Sequence, residues 1–164
     1  MGSGKSYMGK ALADALGWDF LDADTFLEHN EKRSISQIFA EDGEAHFRQL
    51  EQFYLKITQD FHQTIIGTGG GAPCFFDNIQ WMNQHGQTIY LKTPTPILVN
   101  RLKTETANRP LLTGKSDQEL VAFIDQKLAD RSRFYEQAQI IFEYRTGLEN
   151  AKDLLDLLKS SNDK

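Results

Sequence analysis

The chain has 164 residues, a formal net charge of −5, 40% hydrophobic and 25% charged residues, and a single cysteine. These values suit one globular domain with one core. They exclude an internal disulfide framework and a bilayer-spanning apolar run, and they argue against nucleic acid as the main partner, because a phosphate-tracking surface is basic. The acidic excess reads as solubility and Cys74 as a small filler residue, and the compartment expected is the cytoplasm.

The chain opens with Met1-Gly2-Ser3-Gly4-Lys5-Ser6. Gly4, Lys5 and Ser6 match the close of the phosphate-binding loop Gly-x-x-x-x-Gly-Lys-[Ser/Thr], whose first glycine would fall before Met1. Gly2, Ser3 and Gly4 let backbone N–H groups curl around phosphate oxygens, and a helix leaving the loop aims its positive end at the same anion. Lys5 would reach the β- and γ-phosphates of a nucleoside triphosphate, and the Ser6 hydroxyl would sit on Mg²⁺. Met8, Leu12 and Leu16 continue at helical spacing, so a helix is expected over Lys5–Leu16 with Gly17 as its C-cap. A strand delivers the chain into such a loop, and none precedes this one. The expectation is therefore a natural start about ten residues upstream, because losing a central strand should cost more than the roughly 5–15 kcal/mol that holds a domain together.

Strand patterns follow at Trp18–Leu21, Thr64–Gly67, Gln87–Leu91 and Gln139–Phe142. Helical patterns occupy Ser36–Asp42, Glu44–Asp60, Phe76–His85, Pro96–Lys103, Asp117–Glu136 and Glu149–Lys159. This alternation predicts a single α/β domain over residues 1–164, with a parallel sheet covered by helices on both faces.

Four stretches carry candidate chemistry. Asp22-Ala23-Asp24 follows the first visible strand at the sheet's carboxyl edge, where open α/β folds bind ligands. On an extended chain the two carboxylates point apart, one towards a metal and one towards a second substrate; the alternative is an acidic helix start with Asp22 or Asp24 as N-cap. Arg48 and Glu51 lie three apart in a helix, the spacing of a surface ion pair. Gly69-Gly70-Gly71 after a strand suggests backbone that must approach a ligand closely. Arg109, in a polar stretch from Thr104 to Ser116, fits a mobile lid whose planar cation grips phosphate oxygens. Arg131 and Arg133 stand near the end of the next helix, where cations also complement the dipole. The four histidines lack metal spacing and are given no role.

In order and spacing, these motifs resemble shikimate kinase nearly end to end. The resemblance rests on Gly2-Ser3-Gly4-Lys5-Ser6, Leu21-Asp22-Ala23-Asp24, Ser34-Ile35-Ser36-Gln37-Ile38-Phe39, Gly43-Glu44-x-x-Phe47-Arg48-x-x-Glu51, the triple glycine, Arg109-Pro110-Leu111-Leu112 and Arg131-x-x-x-Tyr135. It implies a three-layer P-loop kinase fold with strand order 2-3-1-4-5, strand 1 missing from this chain, substrate-binding helices over about 23–60 and a mobile lid over about 104–117. It implies phosphoryl transfer from ATP to the 3-hydroxyl of shikimate. Lys5, Asp24 and Arg109 would be catalytic, and Gly2, Ser3, Gly4, Lys5, Ser6 and Arg109 would hold ATP. Asp24, Arg48, Gly70 and Arg131 would bind shikimate, and Ser6 with Asp22 (through water) would bind Mg²⁺. The family is usually monomeric. Where relatives carry an Arg/Asn-Pro segment beside adenine, Tyr144-Arg145-Thr146-Gly147 stands here, leaving Arg101 and Arg145 as adenine contacts. Competing readings are a gluconate-type small-molecule kinase and a catalytically silent P-loop domain that senses a metabolite.

Overall fold

Helix α1 (Lys5–Leu16) leaves the phosphate loop directly and ends at Gly17, whose N–H bonds back to the Asp14 carbonyl. The computed structural model describes residues 2–104, 116–144 and 150–162. In chain order, α1 is followed by β1 (Asp19–Asp22), α2 (Ala23–Glu31), α3 (Ile35–Glu41), α4 (Gly43–Ile57), β2 (Thr64–Gly67) and α5 (Asn78–His85). Then come β3 (Ile89–Lys92), α6 (Thr95–Thr104), α7 (Asp117–Tyr135), β4 (Ile140–Glu143) and α8 (Asn150–Asn162). Among the described residues no helix is long and apolar enough to cross a membrane.

The strands run parallel in two pairs. β1 lies beside β2 with Leu21 opposite Ile66, and β3 lies beside β4 with Leu91 opposite Phe142. The pairs are not hydrogen-bonded to each other. They correspond to the outer pairs of the expected order, and a cavity of about 590 Å³ lies between β2 and β3. Met8, Leu12, Ile65, Ile89, Leu91 and Leu154 line it. Strands inside a parallel sheet are normally buried on both faces. Here Ile65, Ile66, Ile89, Tyr90 and Leu91 are only half-buried, because β2 and β3 each face the cavity along one edge.

The opening divides the interior. Instead of one core, the described residues form three buried clusters. Met8 and Leu12 of α1 pack with Ile140, Leu154 and Leu158. Leu98, Val99 and Leu102 of α6 pack with Leu120 and Ile124 of α7. Leu27, Ile38 and Phe47 join α2, α3 and α4. This last cluster anchors α2 and α4, which carry Asp24, Arg48 and Glu51, and none of its members comes from a strand.

Several boundaries differ from expectation for local reasons. Helix α2 takes the alternative of a helix start at Asp22: the Asp22 carboxylate caps it by accepting from the Thr25 N–H at 3.1 Å. Asp24 therefore stands in a helical first turn and not on extended chain. Helix α3 begins at Ile35, one residue early, because Ser34 and Gln37 form a reciprocal capping box. The long helix expected to Asp60 is α-helical to Ile57 and finishes as a 3₁₀ turn over Thr58–Asp60. Phe76, at φ 50°, keeps α5 from starting before Asn78.

Candidate active site

Two groups of side chains meet at the carboxyl end of β1 and β2. On the nucleotide side, Ser6 sits in the first turn of α1 and donates to Asp22 Oδ2 at 3.4 Å. Asp22 thus uses one oxygen to cap α2 and offers the other to Ser6, so the cap leaves an oxygen that could face a metal. A hydroxyl and a carboxylate so close supply the hard oxygen donors that Mg²⁺ prefers, so these residues fit that ion. Arg101 of α6 donates to the Gly2 carbonyl at 3.1 Å and lies over the Tyr144 ring, 4.9 Å from its centroid. Arg109 and Arg145 fall outside the described residues.

On the acceptor side, α2 brings Asp24, α4 brings Arg48 and Glu51, the loop after β2 brings Gly69 to Gly71, and α7 brings Arg131. Arg48 Nη1 donates to Glu51 Oε2 at 2.7 Å, and its Nε and Nη2 donate to Glu44 Oε1 at 3.2 and 3.0 Å. The side chains of Arg48 and Glu51 are 12% and 8% exposed, so the surface-pair reading of their spacing does not hold. The guanidinium also lies 4.1 Å from the Phe75 ring centroid and 4.9 Å from that of Phe47. Stacking and ion pairing together fix the plane of this cation.

The glycine loop is shaped by what it passes. A Cβ on Gly69 would stand 2.9 Å from Asp24 Oδ1 and 3.0 Å from Glu51 Oε1. A Cβ on Gly71 would stand 2.7 Å from Arg48 Nη1. A larger residue at either position would have to push these side chains out of their present places.

Burial raises the Asp24 pKa above the ordinary carboxylate value, Asp22 adds to the rise, and Lys5 and Arg48 oppose it. Burial also raises that of Glu51, against the pull of Arg48. A carboxylate kept reluctant to ionise, between a phosphate-loop lysine and a buried arginine, is suited to accepting a proton from a bound hydroxyl.

Sequence reasoning left Glu44, Glu51, Phe75 and Tyr135 without site roles. Glu51 carried a signal in its three-residue offset from Arg48, but burial decides its meaning. Phe75 and Tyr135 approach from other elements, and neither contact is written in local spacing.

The shikimate kinase family profile matches residues 1–161. The chain belongs to the shikimate kinase family. It is 44% identical to shikimate kinase of Bacteroides thetaiotaomicron over 142 residues, 87% of this chain and 81% of that one. It is 40% identical to shikimate kinase of Bacteroides fragilis over 166 residues, 96% of this chain and 93% of the relative. Among solved structures, shikimate kinase from Acinetobacter baumannii in complex with shikimate superposes with a TM-score of 0.86 at 32% identity, covering 100% of this chain and 91% of the other. The P-loop kinase fold of this family, with its parallel α/β sheet, is the one the strand pairs and flanking helices build.

Proposed function

We propose that this chain is an ATP-dependent shikimate kinase that transfers the γ-phosphoryl group to the 3-hydroxyl of shikimate, a step towards chorismate and the aromatic amino acids. The observation that carries this reading is the buried Arg48 beside Asp24, with the glycine loop between them. A small polyhydroxylated acid needs a cation for its carboxylate and an acceptor for its hydroxyl proton, and this pair offers both.

Arg48 and Arg131 hold the carboxylate, Gly70 lends its backbone N–H, and Asp24 binds the hydroxyls. Asp24 orients the 3-hydroxyl and takes its proton as the oxygen attacks the γ-phosphorus and ADP leaves. Gly2 to Ser6 cradle the phosphates, Lys5 stabilises the transferring group, and Arg109 closes over it. Ser6 and Asp22, the latter through water, would hold Mg²⁺, which when bound neutralises charge on the phosphate oxygens. Positioning and positive charge supply most of the catalysis in phosphoryl transfer, which suits a site built from fixed cations. Water excluded by the lid cannot compete as acceptor. The enzyme acts as a cytoplasmic monomer without nucleic-acid or membrane partners.

ADP release measured with shikimate, with gluconate and with no acceptor tests the proposal. Release stimulated by shikimate alone supports it. Stimulation by gluconate, or none by either acceptor in a sample that binds ATP, would favour the other kinase or a silent sensor.

A further inference from the structure

Gly70 is held by two residues of α7 whose contacts the proposed chemistry has not used. Its carbonyl accepts from Tyr135 Oη at 2.5 Å and from Arg131 Nη1 at 3.3 Å. Arg131 and Tyr135 are four apart on the helix and so share a face. The Tyr135 ring leans on Tyr90 of β3, with centroids 5.0 Å apart, which ties its hydroxyl to the sheet as well as to the helix.

The preceding peptide plane is anchored separately, by the Ala72 N–H donating to the Gly69 carbonyl at 3.2 Å. Because peptide groups are planar, these bonds fix both planes that flank the Gly70 α-carbon. A glycine between two unanchored planes would sample many φ and ψ values. Anchored on both sides, it has one conformation, and its own N–H, which shares a plane with the Gly69 carbonyl, keeps one direction.

We propose that Tyr135 is a positioning residue for the acceptor substrate: by anchoring the Gly70 carbonyl it fixes one of the two planes that flank Gly70, and together with the Ala72 bond on the other plane it keeps the Gly70 N–H towards the substrate and leaves Arg131 donors for the carboxylate. The proposal rests on the shikimate pocket assigned above. Guanidinium has five N–H donors, so Arg131 can keep one nitrogen on the loop, at 3.3 Å, and turn others to an anion while the hydroxyl carries most of the anchoring. Burial raises the phenol pKa against the opposing pull of Arg131, so the hydroxyl stays a neutral donor around neutral pH.

Tyr135→Phe keeps the ring against Tyr90 and removes only the donor. Losing one hydrogen bond of about 0.5–1.5 kcal/mol corresponds to a roughly 2- to 10-fold rise in the shikimate KM. The ATP KM should stay at its wild-type value, and the melting temperature should fall by no more than about 2–4 °C, the share of a single hydrogen bond. Amide exchange over residues 69–72 should quicken in the same variant. An unchanged shikimate KM, or equal rises in both KM values with a melting temperature lowered beyond that share, overturns the positioning role. Asp24→Asn, measured alongside, separates the two levels. If it abolishes turnover while Tyr135→Phe leaves the shikimate KM alone, only the anchor is wrong. If it retains full turnover, the pocket is misplaced and the anchor proposal falls with it.

Discussion

On the acceptor side of the molecule, Arg48, Glu51 and the glycine loop hold one another through contacts drawn from α4, α7 and the end of β2. On the nucleotide side, Ser3 and Lys5 border the 590 Å³ cavity between β2 and β3; the acceptor side meets it through Gly69, Gly70 and Tyr135, but Asp24, Arg48 and Glu51 do not line it. The acceptor residues Asp24, Arg48 and Glu51 ride on helices packed through the Leu27–Ile38–Phe47 cluster, none of whose members comes from a strand. The phosphate loop instead rides on α1, whose Met8 and Leu12 face the opening. From this contrast we expect the charged groups of the acceptor side to be held more rigidly than the phosphate loop. A change at mid-sheet should reach the triphosphate before it reaches the acceptor.

The largest effect should come from filling the cavity. Appending an apolar strand-forming segment ahead of Met1, able to pair with both β2 and β3, should raise the melting temperature by many degrees. The cost of buried voids, about 24 cal/mol per Å³, sets a ceiling on the order of 10 kcal/mol for this gain, since the cavity is open on one side. Thermal unfolding of the extended chain checks it, and an unchanged midpoint would break the comparison at its root.

Next in size is the loss of Asp24. Asp24→Asn should lower turnover by about 10²–10⁴-fold, the usual worth of a general base, and leave ATP binding near normal. Stability should move the other way. The folded-state pKa of Asp24 lies above its unfolded value. The associated stabilisation is therefore complete below the unfolded pKa and is lost as pH rises through the folded one. Ionised Asp24 thus costs stability at neutral pH, and Asp24→Asn should melt higher than wild type there. By the same sign, wild-type kcat/KM should fall as the pH drops through a value above the ordinary carboxylate range. A pH profile and paired melting curves test both signs.

Glu51→Ala removes the shorter of the two ion pairs that hold Arg48, the Glu44 pair remaining, and should cost about 1–3 kcal/mol. The variant should melt lower and bind shikimate less tightly, because the guanidinium plane is less firmly fixed. Arg48→Ala should raise the shikimate KM by about 30-fold or more, the effect of truncating a desolvated charge pair. An unchanged KM would remove Arg48 from the carboxylate clamp.

Much of this arrangement was legible in the sequence where local rules act alone. Helix α1 has the expected limits, and so does β2 at Thr64–Gly67, because glycines punctuate both. Helix α7 differs by one residue at its end. Helix α2 was obscured because its nine residues bury only Leu27 and are otherwise largely polar. Asp22 reads as a cap or as a metal-facing group; the structure shows the cap, and the contact with Ser6, 16 residues away, has no local signature. The Arg48–Glu51 spacing is the same for a surface pair and a buried one; Phe75 and Gly71, arriving from another segment, make the difference. The Tyr135–Gly70 contact spans 65 residues and has no local signature.

The most direct test of the unequal supports is to measure ATP and shikimate affinity by calorimetry on the chain with and without the appended strand. ATP binding should tighten at least tenfold more than shikimate binding when the strand is present. Equal tightening of both, or none of ATP in an extended chain that melts higher, would contradict the account.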